Sequence, residues 1–199
     1  MEVKRRKDPE QIKKDIAAKA KELFSQRGYA ATSMEDICTI TGRSKGSIYY
    51  HFKNKEELFL YLIKQNMNEW ITTWYNTEKQ YETSTAKLYG LAQHFVEDFE
   101  NPLMKTVDEF ISSQVVSQEG LENILELTRA PYGMYEEILR EGMENGEFQQ
   151  ENSRDMMYIL NGLLGGLGTL YYETDIEEIK RLYKKAIDVL LYGISVKRS

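Results

Sequence analysis

"SMEDICTITGRSKGSIYYHF", residues 33–52, is the stretch on which the fold turns. Ser33 followed by Asp36 reads as an approximate capping box that starts a short helix, with Ile37 and Ile40 facing inward. "TGRS", residues 41–44, is a turn, and a second short helix runs from about Lys45 to His51. Ile48 and Phe52, four apart, anchor that helix, which leaves Ser47, Tyr49, Tyr50 and His51 on its outer side. A short helix, a tight turn and a second short helix with a polar outer face make a helix-turn-helix, whose second helix enters the major groove.

The residue types fit a phosphate-lined groove better than a catalytic centre. Catalysis would need a nucleophile with a base and an orienting group, or a metal with several ligands. His51 and His94 are the only histidines, neither lies in an HxxxH or HxxE pattern, and there is no GxxxxGK[ST] loop. No catalytic residue, metal or cofactor is assigned. By contrast, Ser44 at a helix start leaves backbone N–H groups facing outward, and Lys45 adds a charge there. Gly46 lets the backbone approach DNA, and Tyr49, Tyr50 and His51 offer polar tips and flat faces.

Outward from this motif the chain reads as all-α, with about nine helices. Asp8 and Pro9 open a first helix whose stripe is Ile16, Ala20, Leu23 and Phe24, and Gly28 ends it. Asn54 caps a long fourth helix. Further helices are expected at about 86–99, 102–116, 120–145, 153–172 and 176–195. The uncharged run 156–172 is close to the lower length limit for crossing a bilayer, but Asn161 and four glycines favour a helix buried against another subunit. One cysteine, Cys38, excludes an intramolecular disulfide, and the charged N-terminus does not resemble a signal peptide, so a cytoplasmic location is expected.

The net charge of −6 conceals a split. Residues 1–66 carry 14 Lys and Arg against 9 Asp and Glu, whereas the remainder carries 12 against 23. The basic part can meet a polyanion that the acidic part avoids. The basic tail "KRRK", residues 4–7, could add a further DNA contact.

Residues 20–59, "AKELFSQRGYAATSMEDICTITGRSKGSIYYHFKNKEELF", closely resemble the DNA-binding region of TetR-family transcriptional regulators. The resemblance implies an N-terminal three-helix DNA-binding unit, residues 1–53, joined by a long helix to a C-terminal ligand-binding and dimerisation domain, residues 54–199. It also places Ser33, Ser44, Lys45, Gly46, Ser47, Tyr49, Tyr50, His51 and Lys55 at positions that touch double-stranded operator DNA. Within the family, "NPLMKTVDEF", "REGMENGEF" and the placing of Trp70 and Trp74 are most similar to QacR-like multidrug-sensing repressors. Those relatives bind aromatic cations between rings and carboxylates. Thr128 and Pro131 depart from that pattern, so a neutral or acyl inducer also stays open.

For the second half, the apolar stripes suggest a homodimer face at Leu160, Leu163, Leu167 and Leu170 on one helix and Leu182, Ile187, Leu190 and Ile194 on the last. Ligand contacts are expected at Trp70, Trp74, Phe95, Asp98, Phe99, Asp108, Phe110, Tyr132 and Tyr135, which lie on or beside inner stripes. Glu109 is expected to pair with Lys105 on the solvent side. Two alternatives stand beside the ligand-responsive repressor: a ligand-independent DNA-organising protein of the same fold, and a helical small-molecule binder or enzyme that does not touch DNA.

Overall fold

In the computed structural model, residues 8–113 and 116–194 are described, with only the backbone given at 193 and 194; the basic tail and the Ile194 side chain fall outside these residues. The described residues form α1 (Pro9–Arg27), α2 (Met34–Thr41), α3 (Lys45–His51), α4 (Lys55–Thr77) and α5 (Ser84–Asp98). They continue with α6 (Leu103–Ser112), α7 (Gln118–Arg129), α8 (Tyr132–Glu144), α9 (Ser153–Gly168) and α10 (Ile176–Ile194). Short 3₁₀ turns follow α4 and α9, at Glu78–Gln80 and Thr169–Tyr172. The all-α expectation holds. The helix expected over 120–145 is two, because the ring of Pro131 opens α8 and ends what precedes it.

Local chemistry sets the first boundaries. Asp8 Oδ1 accepts from Glu10 N at 3.2 Å, and Pro9 occupies the first turn of α1. Ser33 and Asp36 form both halves of a capping box at α2, and Gly42 closes that helix with φ +64°, a left-handed conformation suited to glycine. Asn54 Oδ1 accepts from Glu57 N at 2.7 Å and starts α4.

The chain divides into two compact units, the first made of residues 1–67 and 102–127, the second of 68–101 and 128–199. In the first, Ile16, Phe24, Ile37, Ile48, Phe52 and Phe59 meet Leu103 and Phe110 of α6 in one apolar core. Phe110 is fully buried, with its ring centroid 4.6 Å from Tyr29 and 5.0 Å from Phe59. Two carboxylates join distant parts of this unit. Glu109 Oε2 and Oε1 accept from Tyr29 N at 2.9 Å and Ala30 N at 2.8 Å. Glu56, in the first turn of α4, accepts from Ser117 N at 3.4 Å and from the Ser117 hydroxyl. Glu109 therefore turns inward to cap the chain after α1, rather than outward to Lys105. Charged acceptors satisfy backbone donors more strongly than a solvated i,i+4 pair holds together.

In the second unit α5 packs on α8 and α10, and α9 packs on α8 and α10. Leu88, Leu91, Tyr135, Leu160, Ile187 and Leu190 belong to its core. A third carboxylate, Glu147, accepts from Ser84 N at 2.8 Å and Thr85 N at 2.9 Å, at the start of α5. Burial acts to raise the Glu147 pKa, but the two backbone N–H groups and nearby Lys87 outweigh it and hold the carboxyl below its ordinary value. A depressed carboxyl contributes stability above its unfolded pKa and loses it as pH falls through the folded value. Wild-type protein should therefore lose stability on acidification below the ordinary glutamate range. Glu147→Gln should begin less stable at pH 7 and lose less, as read from thermal unfolding at a series of pH values.

Candidate DNA interface and aromatic core

Helix α3 is held from behind and bare in front. Ile48 and Phe52 are buried, while Tyr50 is 78% exposed and Tyr49 40% exposed. Ser44 Oγ accepts from Ser47 N at 3.2 Å and caps α3. Gly46 has open space where a Cβ would stand, so backbone can come close to it from outside. Tyr50 and His51 meet edge to face, centroids 5.0 Å apart, which fixes both rings at the end of α3. Lys13 on α1 lies 5.3 Å from the Phe52 ring and 4.6 Å from the Tyr61 ring, bracing the helix end. Arg43 in the turn pairs with Asp15 at 3.7 Å. Ser33, Ser44, Lys45, Gly46, Ser47, Tyr49, Tyr50 and His51 thus cluster around one short motif.

Lys55 has an engagement of its own within the unit. Its ammonium donates to Tyr29 O and Thr32 O, both at 2.8 Å, and lies 4.2 Å from the Tyr29 ring. Burial holds its pKa below the ordinary lysine value, against the pull of Glu109. Two of its three N–H donors are committed to the loop between α1 and α2, so Lys55 acts first as a clamp on that loop. These loop carbonyls gain a charged donor, and Tyr29 O also accepts from Thr32 N at 3.3 Å.

The expected ligand residues divide between the units. Asp108 and Phe110 belong to the first unit, and Phe110 is core there rather than pocket wall. The other seven belong to the second unit, where Trp70, Trp74, Phe95, Phe99 and Tyr135 share a run of aromatic contacts and Tyr132 and Asp98 make separate ones. Trp70 stacks on His94 with centroids 4.4 Å apart, and Phe95 lies 5.1 Å from Trp70 and 6.0 Å from Tyr135. Phe99 stacks on Tyr171 at 5.2 Å with planes 9° apart, and Tyr132 meets Tyr158 at 5.7 Å. Asp98 accepts from Asn101 Nδ2 at 3.2 Å. Trp70, Phe95, Phe99 and Tyr132 are only partly buried.

Sequence reasoning missed His94 and Tyr183. The His94 ring nitrogen Nε2 lies 2.9 Å from Trp70 O, and the ring sits within 5.8 Å of Trp74 as well. Tyr183, buried, donates to Leu164 O at 2.7 Å and meets both Phe95 and Phe99. Its spacing of four from Ile179 was a usable signal. Among the described residues, Trp74 Nε1 is a buried donor without a hydrogen-bond partner.

A groove of about 840 Å³ also runs between α5 and α10, over Ala92, Val96 and Tyr183 and beside Glu97, Glu100, Lys180 and Lys184. None of the residues expected to bind ligand lines it, because α5 turns Phe95 and Phe99 to a different side.

The expected dimer residues need a correction too. Leu160, Ile187 and Leu190 are buried in the chain's own core, whereas Leu163, Leu167, Leu170 and Leu182 are half-buried. The apolar groups left bare on α9 and α10 are Tyr158, Ile159, Val189 and Tyr192, the last 86% exposed. Gly162, Gly165 and Gly166 border open space beside them. No helix among the described residues is long and apolar enough to cross a membrane.

An all-helical chain with a capped helix-turn-helix, its second helix bare to solvent, defines a transcription regulator of the helix-turn-helix class. The profile of bacterial regulatory proteins of the tetR family matches residues 16–62, and that of the QacR-like protein C-terminal region matches residues 66–196. The chain belongs to the tetR family, with a C-terminal region of the QacR-like kind. It is 29% identical over 185 residues to the HTH-type transcriptional regulator QacR of Staphylococcus aureus, covering 92% of this chain and 98% of that one. It is 24% identical over 159 residues to the transcriptional repressor KstR2 of Mycolicibacterium smegmatis, covering 75% and 74%. Its fold matches that of the Bacillus subtilis regulator FadR, solved with stearoyl-CoA, at a TM-score of 0.74 and 23% identity over 90% of this chain and 98% of that one. The family is one of transcriptional regulators, not enzymes.

Proposed function

We propose that the protein is a ligand-responsive, homodimeric transcriptional repressor acting in the cytoplasm. Residues 1–53 hold operator DNA and residues 54–199 bind the inducer and the second subunit. The observation that carries the DNA half is the bare face of α3, with Tyr50 standing 78% exposed at the end of a helix whose opposite side is sealed by Ile48 and Phe52. Ser44, Lys45, Gly46 and Ser47 meet phosphate at the start of α3, with Ser33 at the start of α2, and Tyr49, Tyr50 and His51 reach base edges and sugar. Lys55 keeps one donor for the backbone phosphate while it clamps the loop.

The inducer in this reading lies among Trp70, Phe95, Asp98, Phe99 and Tyr132. Half-buried rings support a hydrophobic, aromatic ligand, and the Asp98 carboxylate supports a cationic one. Trp74 and Tyr135 back this wall from within. A buried N–H without acceptor costs about 1–3 kcal/mol, which an acceptor on the ligand would offset at Trp74 Nε1. Trp70 and Trp74 sit on α4, the helix that follows the recognition helix directly, so a ligand that displaces them shifts α4. A preference of about 3 kcal/mol for the non-binding state lowers operator affinity roughly a hundredfold. The exposed side of α9 and α10 supports a two-fold interface, with Leu163, Leu167, Leu170 and Leu182 at its edge and Tyr158, Ile159, Val189 and Tyr192 at its centre.

The test is a mobility-shift titration on a duplex carrying the promoter region of the protein's own gene. Wild-type protein should retard it, and Tyr50→Ala should bind roughly tenfold to a hundredfold more weakly, the range for losing one good base contact. Equal binding by the two proteins would exclude the groove reading.

A further inference from the structure

The face that carries Lys45 is not uniformly basic. Lys45 Nζ lies 2.6 Å from Glu35 Oε1, and the two side chains are 63% and 66% exposed, so the pair stands in solvent beside the recognition helix. The same ammonium is 6.0 Å from the Tyr49 ring, on the outer side of α3. The hydrogen bond from Lys45 holds the Glu35 carboxyl below its ordinary pKa and, reciprocally, raises that of Lys45. Asp36 beside it is already engaged by Ser33 and Arg27, so Glu35 is the acid that faces Lys45. An exposed pair of this kind adds little to the fold. Its larger effect falls on what Lys45 can offer a polyanion.

We propose that Glu35 weakens DNA association by a fixed, sequence-independent factor, through its ion pair with Lys45. The inference rests on the DNA-binding reading above. A phosphate that takes Lys45 must displace the Glu35 carboxylate, which then stands beside the duplex without its cation. The counterion release that a free lysine would give is thereby largely cancelled, and the carboxylate adds repulsion. Since phosphates carry no sequence information, operator and bulk DNA are affected alike. The protein gains rapid release from DNA it has no reason to hold, while base contacts from α3 keep their discrimination.

The experiment is a fluorescence-anisotropy titration of the full chain against a random-sequence duplex, with wild type, Glu35→Gln, Lys45→Ala and the double variant. Between about 50 and 200 mM salt, Glu35→Gln is expected to bind about threefold to tenfold tighter at the low end, with the slope of log K against log salt steeper by about one. Lys45→Ala should weaken binding in both backgrounds, but the steeper salt slope given by Glu35→Gln should vanish without Lys45, because removing the carboxylate then frees no cation. Because Glu35 lies in the first turn of α2, circular dichroism of each variant checks the fold, and Glu35→Ala provides a second way of removing the charge. Tighter binding by Glu35→Ala with the same steeper slope supports the inference. If wild type binds and Glu35→Gln binds equally or more weakly, or if Glu35→Gln steepens the salt slope equally with and without Lys45, the inference is overturned alone. If neither wild type nor any variant binds duplex at low salt, the DNA-binding reading falls and takes this inference with it.

Discussion

Phe110→Ala is expected to destabilise the first unit by about 3–5 kcal/mol, the range for removing a buried phenylalanine from a packed core. The ring is fully buried and sits within 5.0 Å, centroid to centroid, of both Tyr29 and Phe59. Those two rings also touch each other and Phe24, so the space cannot close by moving one neighbour. A loss of that size is a large share of the stability of an ordinary domain. Urea denaturation together with hydrogen exchange at the amides of α1 and α6 measures it. A cost under about 1 kcal/mol would mean that the site collapses easily, as a ligand pocket can and a close-packed core cannot.

Glu109→Ala comes second. One carboxylate satisfies the N–H groups of Tyr29 and Ala30, eighty and seventy-nine positions away in sequence. Hydrogen bonds to charged groups contribute about 1.5–3 kcal/mol each, and one of these two is solvent-exposed, so the expected loss is roughly 2–4 kcal/mol. Glu109→Gln should recover about half of it, because an amide offers one acceptor oxygen and turns an N–H toward the second donor. Gly28 gives an independent check. Its φ of +81° suits glycine, and a Cβ there would collide with the Glu109 carboxylate, so Gly28→Ala should imitate Glu109→Ala and add strain. If all three variants unfold at the wild-type denaturant concentration, the cap has no energetic weight.

Where local chemistry decided the structure, the sequence was readable. Asp8, Ser33 and Asn54 each cap the helix expected of them, through a side-chain oxygen three or fewer residues from its donor. Ile48 and Phe52 face inward as their spacing requires. The exposed face of α3 followed from the same logic, since a short helix with two inward residues has few other ways to orient.

What could not be read was long-range. Glu109 has Lys105 at the favoured i,i+4 spacing, and nothing within a few residues reveals that the end of α1 offers it two better donors. Phe110 was correctly turned inward, but an apolar stripe does not state which core it enters. Leu160 and Leu190 show the same ambiguity, since a helix covered by its own chain and one covered by a second copy carry identical stripes. That Lys55 also clamps the loop after α1 was not legible, because its sequence context is a run of charges. The acceptors are the loop carbonyls of Tyr29 and Thr32, 26 and 23 residues upstream.

The composition of the first core has a consequence for how the protein comes into being. Phe24, Tyr29 and Phe59 are synthesised early, but the residues that seal them, Leu103, Phe110 and Ile124, come from the middle of the chain. A helix-turn-helix cut at residue 67 would expose that aromatic cluster to water. On the ribosome the DNA-reading part therefore cannot mature until α6 and α7 have emerged, although its own sixty-odd residues contain every group that would touch an operator. Closing so long a loop lowers the folding rate of that unit and leaves its aromatic surface open to non-specific association in the interval. The unit that carries the helix-turn-helix thus becomes complete only after residue 127, ahead of the second unit, which waits for α10.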